Sequence, residues 1–470
     1  MDCGARWRYN IAMDATRRED LSWQAEQRLL FPLPQGGRMP VTEPADAVGT
    51  PRLEQPQREQ IEYRVCCWDD LLPEDHQARV VWQYVEGLDL SPLYRKIKAV
   101  ERRAGHPAID PRILLALWLY ATLRGIGSAR ELDRRAKESL PFQWICGGVS
   151  VNYHTLSDFR TAHVGFLDRL LTESVAVLLH QELVTLDRVA QDGVKVRASA
   201  GAASFRRRET LEKCLAEAGQ QVQTLKAELQ ADPTAANLRQ QAARERAARE
   251  RAERVQQALQ QLPLVEARKK GPEAKQKARV STTDPEARVM KMPDGGYRPA
   301  YNVQLATDTQ TQIITGVEVT NSGGDYGQMV PMVEQHEARY ETPPEAMLVD
   351  GGFAKKEDIT EVSPPQGRTT VYAPVQQSKS EQRDPHTPRP DDSPAVAEWR
   401  VRMASQEAKE IYKERAATAE CVNAIARNRG LQQVRVRGRP KVLAVILWYV
   451  LAHNLLRMVA LSAEREKSGS

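Results

Sequence analysis

Aromatic residues are scarce, at 6% of the chain, and the cysteines number only six. Cys3, Cys66, Cys67, Cys146, Cys214 and Cys421 form no C-x-x-C pair and no His-paired spacing, which argues against a thiolate zinc site. Reduced thiols of an intracellular protein are the expectation. The N-terminal stretch lacks the continuous apolar core of a secretory signal. The longest apolar run, Val442–Ala452, is shorter than the roughly 20 residues that span a bilayer, and His453, Asn454 and Arg457 follow it. No membrane partner is expected. Charge of one sign is barely in excess: Lys+Arg 67 against Asp+Glu 62 gives +5, too little by itself to argue for nucleic acid. What is present is ordinary. Apolar residues at 41% and charged residues at 27% exclude a wholly disordered or collagen-like chain. At roughly 100–200 residues per domain, 470 residues make several domains.

Pro32, Pro34, Pro40, Pro44, Pro51 and Pro56 punctuate the beginning, so residues 1–64 are expected to be a loosely ordered entry segment. Residues 65–183 read as helical. Asp110 before Pro111 is an N-cap followed by a first-turn proline. Ile113, Leu114, Leu117, Trp118, Tyr120 and Ala121 then give a wide apolar stripe. Gly125 and Gly127 stop that helix. Ser128 caps a second, with Glu131 three residues on as in a capping box. Asn152 leads into a third, carrying Leu156, Phe159, Phe166, Leu167 and Leu170. Short helices joined by Gly-containing turns fit a helix-turn-helix DNA reader or a helical packing domain.

Val184–Ala198 alternates in the manner of a strand, with Asp192-Gly193 as a turn or strand end. Residues 206–279 have no aromatic residue and spaced leucines. Two helices folded back as a hairpin, ending near Pro263, are expected. This tract holds seventeen Lys+Arg and ten Asp+Glu, a difference of +7 that exceeds the whole chain's +5. It reads as a solvated coiled coil or as a phosphate contact. Tyr301–Thr307 and Gln312–Thr320 alternate and predict an antiparallel hairpin. A helix over 327–340, a buried strand over 346–350, a short strand over 369–373, a loop over 377–395 and a helix over 396–429 follow. Lys441–Leu461 reads as an apolar core helix, and 462–470 as a polar tail.

In this order of elements Asp192 closes the first strand and Asp350 the fourth, where open α/β sheets gather functional groups. Glu420, on a late helix, could reach the same crevice. Acids held together repel and raise one another's pKa. A hard divalent cation relieves this with few ligands. A pair of such ions can clamp both oxygens of a phosphoryl transfer. Taken singly, Asp-Gly is usually a turn and a helical Glu is usually solvated.

Several stretches resemble the DDE transposases of bacterial insertion sequences, in the branch with a helical insert after the first acid. They are Leu114–Arg135 with Asn152–Arg160, Gln191–Ala198, Ser281–Val303, Asn321–Met332, Leu348–Phe353 and Trp448–Arg457. The resemblance spans about 65–460. It implies an α/β, RNase H-like mixed-sheet catalytic domain (184–205 and 280–461), a helical N-terminal DNA-binding domain (65–183) and a helical-hairpin, coiled-coil insert (206–279). It also implies that Asp192, Asp350 and Glu420 bind two Mg2+ ions, with Mn2+ able to substitute, and catalyse DNA cleavage and strand transfer. The family pattern is Tyr, two residues, Arg, three residues, Glu, six residues, Lys or Arg. Tyr412, Arg415, Glu420 and Arg427 keep its order, with one residue too many between Arg415 and Glu420. Glu414, six residues before Glu420, falls near the opposite side of an α-helix. Lys195, Arg197, Arg298, Tyr412, Arg415, Arg427 and Arg429 are candidate DNA contacts, or ordinary surface and ion-pair residues. The partners implied are double-stranded DNA, as element terminal inverted repeats and as target, and further copies of the chain in a homodimer or larger synaptic complex, in the bacterial cytoplasm at the nucleoid. A non-catalytic DNA-binding derivative and an RNase H-like nuclease are the alternatives.

Overall fold

Among the described residues, helices come first. The computed structural model describes residues 67–99, 107–231, 238–377 and 384–468. The expected entry segment 1–64, the insert's turn near Pro233, part of the loop 377–395 and the end of the polar tail lie outside the described residues. The helices are α1 (Gln77–Glu86), α2 (Ser91–Tyr94), α3 (Pro111–Leu123), α4 (Ala129–Glu138), α5 (Leu140–Cys146), α6 (Tyr153–Ala162) and α7 (Val164–His180).

The caps anticipated from the sequence close. The Asp110 carboxylate accepts the Arg112 N–H at 2.8 Å, Ser128 Oγ that of Glu131 at 3.5 Å, and Asn152 Oδ1 that of Thr155 at 3.0 Å. The reciprocal half of the capping box is absent: Arg134 and Arg135 take the Glu131 carboxylate instead. The expected third helix is two, because the chain leaves helical geometry at His163 between α6 and α7. Helix α3 is buried on every side from Ile113 to Thr122, as a helix at the centre of a core must be.

The sheet is mixed. Its strands are β1 (Arg188–Arg197), β4 (Arg288–Lys291), β5 (Tyr297–Asp308), β6 (Ile314–Thr320), β7 (Ala346–Leu348) and β8 (Thr370–Tyr372), following a separate two-strand pair of β2 (Phe205–Arg206) and β3 (Val280–Ser281). The order runs β4-β5-β1-β7-β8, with β6 also on β5. β5 lies antiparallel to β1, β4 and β6; β7 runs parallel to both β1 and β8. The predicted hairpin is present as β5 and β6, Asn302 opposite Thr320. Neither the turn nor the strand end expected at Asp192-Gly193 is there. Both residues lie inside β1, whose ladder to β5 continues unbroken from Val189 to Arg197. Pairing with a long central neighbour outweighs the local turn preference of Asp-Gly.

The insert is a pair of long helices, α8 (Arg208–Ala231) and α9 (Leu238–Ala267). They run antiparallel: Leu211 near the start of α8 packs with Val255, Ala258 and Leu262 near the end of α9, and Arg208 pairs with Glu266. α9 continues through Pro263 rather than ending there. After α10 (Pro272–Gln276), α11 (Met329–Tyr340) and α12 (Lys356–Val362), the expected helix over 396–429 is several pieces. These are α13 (Pro394–Ala404), α14 (Gln406–Arg415), a π-helical turn Ala416–Glu420 and α15 (Cys421–Asn428). Ser405 breaks the first junction by capping α14, its Oγ accepting the Ala408 N–H at 3.1 Å.

The last helix, α16 (Arg439–Ser468), carries through most of the expected tail. By length and composition it could cross a membrane, yet Val442, Val445–Ala452 and Leu455 are buried. It joins the helical region to the sheet in one apolar core. Trp448 Nε1 donates to the Arg160 carbonyl at 3.0 Å on one side, and Asn454 bonds both backbone groups of Ile314 on the other.

Candidate active site

Strand register brings two of the three expected acids together. In the parallel pair β1–β7, Ala190 stands opposite Leu348. Asp192 lies two residues further along β1, and Asp350 two residues beyond Leu348, just past the end of β7. Arg415, the last residue of α14, reaches between them. Its Nη2 is 3.2 Å from Asp192 Oδ1 and 3.9 Å from Asp350 Oδ2. Asn423 on α15 donates from Nδ2 to Asp192 Oδ2 at 2.7 Å. Gly352 N–H donates to Asp350 Oδ1 at 2.7 Å, which holds that carboxylate in the turn after β7. Burial pushes the Asp192 carboxyl above the usual range; Arg415 opposes this, while Asp350 and Asp325 add to it.

Asp325 is an acid the sequence reading passed over. Its Oδ1 accepts from Asn302 Nδ2 at 2.7 Å and Gln304 Nε2 at 2.8 Å, across the sheet from Asp192. Gly193 makes room for it: a Cβ there would collide with Asp325 Oδ1 and lie 2.7 Å from Gln304 Nε2. The glycine of Asp192-Gly193 thus serves close packing within a strand rather than a turn. Strand alternation alone could have placed Asn302 and Gln304 on one face, but not the loop acid they hold.

Glu420 is not gathered with the two aspartates. Its side chain is exposed, and among the described residues no group of three acids, histidines or cysteines is close enough to hold a metal ion. The extra residue between Arg415 and Glu420 is taken up by the π-turn Ala416–Glu420. An i→i+5 turn accommodates one more residue than an α-turn. Glu420 therefore keeps the helix phase that a glutamate four residues after Arg415 would have in an α-helix. It sits one step around from Arg415 and Asn423, the residues that face Asp192. Glu414 points elsewhere, pairing with Arg188 and accepting from Thr309 Oγ1 at 2.9 Å.

The candidate DNA contacts separate. Tyr412, half-buried, packs beside Arg415 and the two aspartates, and burial raises its phenol pKa. Arg427 is exposed. Lys195 and Arg197 follow Asp192 by odd offsets, so they project from the opposite face of β1. Arg298 is paired with Asp294 at 2.8 Å in the turn before β5. Arg429 lines a largely apolar cavity with Leu305, Ile446 and His453, and burial lowers its pKa.

The long string from Ser281 has a structural office. Asp284 is fully buried; its Oδ1 accepts from Tyr301 Oη at 2.7 Å and from Gly438 N at 3.2 Å. Glu286 accepts the Arg439 N–H at 2.8 Å. Two carboxylates thus sit at the N-terminus of α16, where the helix dipole favours them, and moor the core helix to β5.

Residues 66–162 match the Transposase domain (DUF772), and residues 264–455 match the Transposase DDE domain. No curated protein and no solved structure matches the chain. Asp350 and Glu420 fall inside the second match; Asp192 falls in neither.

Proposed function

We propose that the chain, whose two family matches indicate an insertion-sequence transposase, binds the ends of its own element and catalyses Mg2+-dependent cleavage and strand transfer from an RNase H-like domain. The observation that carries this reading is the meeting of Asp192, on β1, and Asp350, just past the end of the neighbouring parallel strand β7, around a single cationic group. The strand order, with the antiparallel group β4, β5 and β6 on one side of β1 and the parallel strands β7 and β8 on the other, supports the RNase H-like assignment.

The donor set fits magnesium. Both groups are hard carboxylate oxygens, and one guanidinium is all that offsets them. Asp192 and Asp350 would hold the ion; Glu420, exposed on the adjoining helical turn, would have to swing inward to add a further carboxylate. Bound there, the metal supplies charge neutralisation at the phosphodiester and a more acidic water. The protein's own residues orient the reaction. Asn423 fixes one oxygen of Asp192 and leaves the other free once Arg415 moves. Arg415 then suits a non-bridging phosphate oxygen, which its planar fork matches. Tyr412 packs beside it and limits its swing. The chemistry is attack of water on a phosphodiester, which frees a 3′-hydroxyl. That hydroxyl then displaces a second 3′-oxygen in target DNA.

The test is the full chain with oligonucleotide element ends, target DNA and Mg2+. Nicking and joining are expected, and both should vanish in Asp192→Ala and Asp350→Ala. Retention of either activity in those variants refutes the assignment. Hydrolysis without joining would indicate a nuclease, and binding without cleavage a non-catalytic DNA reader.

A further inference from the structure

Away from the aspartates, three arginines converge on one cavity without an acidic partner. The cavity, about 310 Å³, lies where the start of α4 and the start of α6 meet the segment before α16. Arg130, Arg160 and Arg435 line it, with Ser128, Tyr153 and His154. Arg160 is only 8% exposed. Its Nη1 donates to the Gly127 carbonyl at 2.7 Å, its guanidinium stacks 4.7 Å from the centre of Trp118, and its buried Nε–H has no acceptor. Arg130 stands over the Tyr153 ring at 5.0 Å. Among the described residues no carboxylate is within ion-pair distance of any of the three; Asp158, the acid on the wall, is exposed. Arg435 is close enough to Arg160 to disfavour its charge, and burial disfavours it further, yet at about 10 its pKa leaves it a cation at neutral pH.

Such an arrangement is costly unless something negative completes it. Like charges repel, and a buried guanidinium with an idle N–H has lost hydration without replacement. The N-terminus of α4, a ten-residue helix, adds its own positive end beside Ser128. Arginine forks and a helix N-terminus select the same ligand class, a phosphate group.

We propose that this cavity binds a backbone phosphate of DNA, clamped between the helical region and the segment leading into α16. This rests on the reading of the chain as a DNA-acting transposase and deepens it by naming an anchoring site outside the acid cluster. Arg130 and Arg435 form the open rim, and Arg160 the floor. Phosphate contacts position a duplex without reading its sequence, so the site serves element ends and target alike.

The experiment measures binding of the full chain to a duplex oligonucleotide of arbitrary sequence over a NaCl series without divalent cation. Arg130→Ala, Arg435→Ala and the double variant are compared with Arg134→Ala, a control on the same helix already paired with Glu131. Arg160→Gln is informative only if folded, so the two exposed rim arginines carry the test. Each lost phosphate contact should make the slope of log affinity against log salt shallower by about 0.9. Because the two rim arginines share one phosphate, the double variant should lose about that amount in all and each single variant no more, with Arg134→Ala unchanged and urea midpoints preserved. A parallel arm measures thermal stabilisation by inorganic phosphate. An unaltered DNA slope in the double variant overturns the proposal, and it does so equally if the variant loses only its response to inorganic phosphate. Failure of the unmutated chain to bind any duplex overturns the transposase reading as well.

Discussion

Replacing Arg415 with glutamine removes the cationic group shared by Asp192 and Asp350. Arg415 is 12% exposed and Asp192 20%, with 3.2 Å between their charged atoms. The contact to Asp350 is 3.9 Å, and that carboxylate is 41% exposed, so solvent screens it and it contributes little. Breaking a fully buried pair costs about 3–5 kcal/mol. Here Asn423 still satisfies one oxygen of Asp192 and water reaches the site, so the loss should be about 2–3 kcal/mol. A divalent cation reverses the sign of the argument. With Arg415 gone, Mg2+ meets two uncompensated carboxylates; in the unmutated chain it must first displace the guanidinium. At a hundredfold excess over its dissociation constant, a ligand stabilises by about 2.7 kcal/mol, enough to restore the variant. The assay is urea unfolding of both proteins with and without Mg2+. The variant should be weaker without the ion and gain more from it. Equal stability of the two proteins in the absence of Mg2+, with neither responding to it, would refute the reasoning that this is a cation site held by its own arginine.

Gly193→Ala should lower stability by about 1–3 kcal/mol through overpacking, because the new methyl meets Asp325, Gln304 and Asn302; a urea midpoint equal to that of the unmutated chain would contradict it. Asp284 has its carboxyl raised, chiefly by burial. Its favourable form in the fold is the protonated one, so its contribution is complete below the ordinary value of 3.8 and is lost as pH rises through the raised value. Relative to Asp284→Asn, the unmutated chain should therefore lose stability with rising pH across that window, as read by urea unfolding at a series of pH values. Leu262→Ala should cost about 2–5 kcal/mol within the helix pair and the adjoining β3, because its cluster with Leu211, Val255 and Val280 is separate from the main core. Hydrogen exchange should speed in α8 and α9 while β1 and β5 stay protected.

Much of the local structure was legible because its causes are local. Asp110, Ser128 and Asn152 cap the helices they precede, since a cap needs only the next turn. The alternation over 301–320 yields the hairpin of β5 and β6. Asp192-Gly193 misled for the opposite reason. Its turn preference is a property of two residues, whereas its place inside β1 depends on β5, more than a hundred positions away in sequence. Arg429 was likewise unreadable: it finds a cavity wall built from β5 and α16, which does not follow from an arginine's own neighbours.

Element types and caps follow from the chain itself, because side-chain period and capping chemistry act over a few residues. Which acids meet does not. The parallel register of β1 on β7 aligns Asp192 with Asp350, Arg415 reaches both, and the π-turn sets the phase of Glu420. Register and helix phase are chosen by burial of whole faces across distant segments, so only the folded chain decides them.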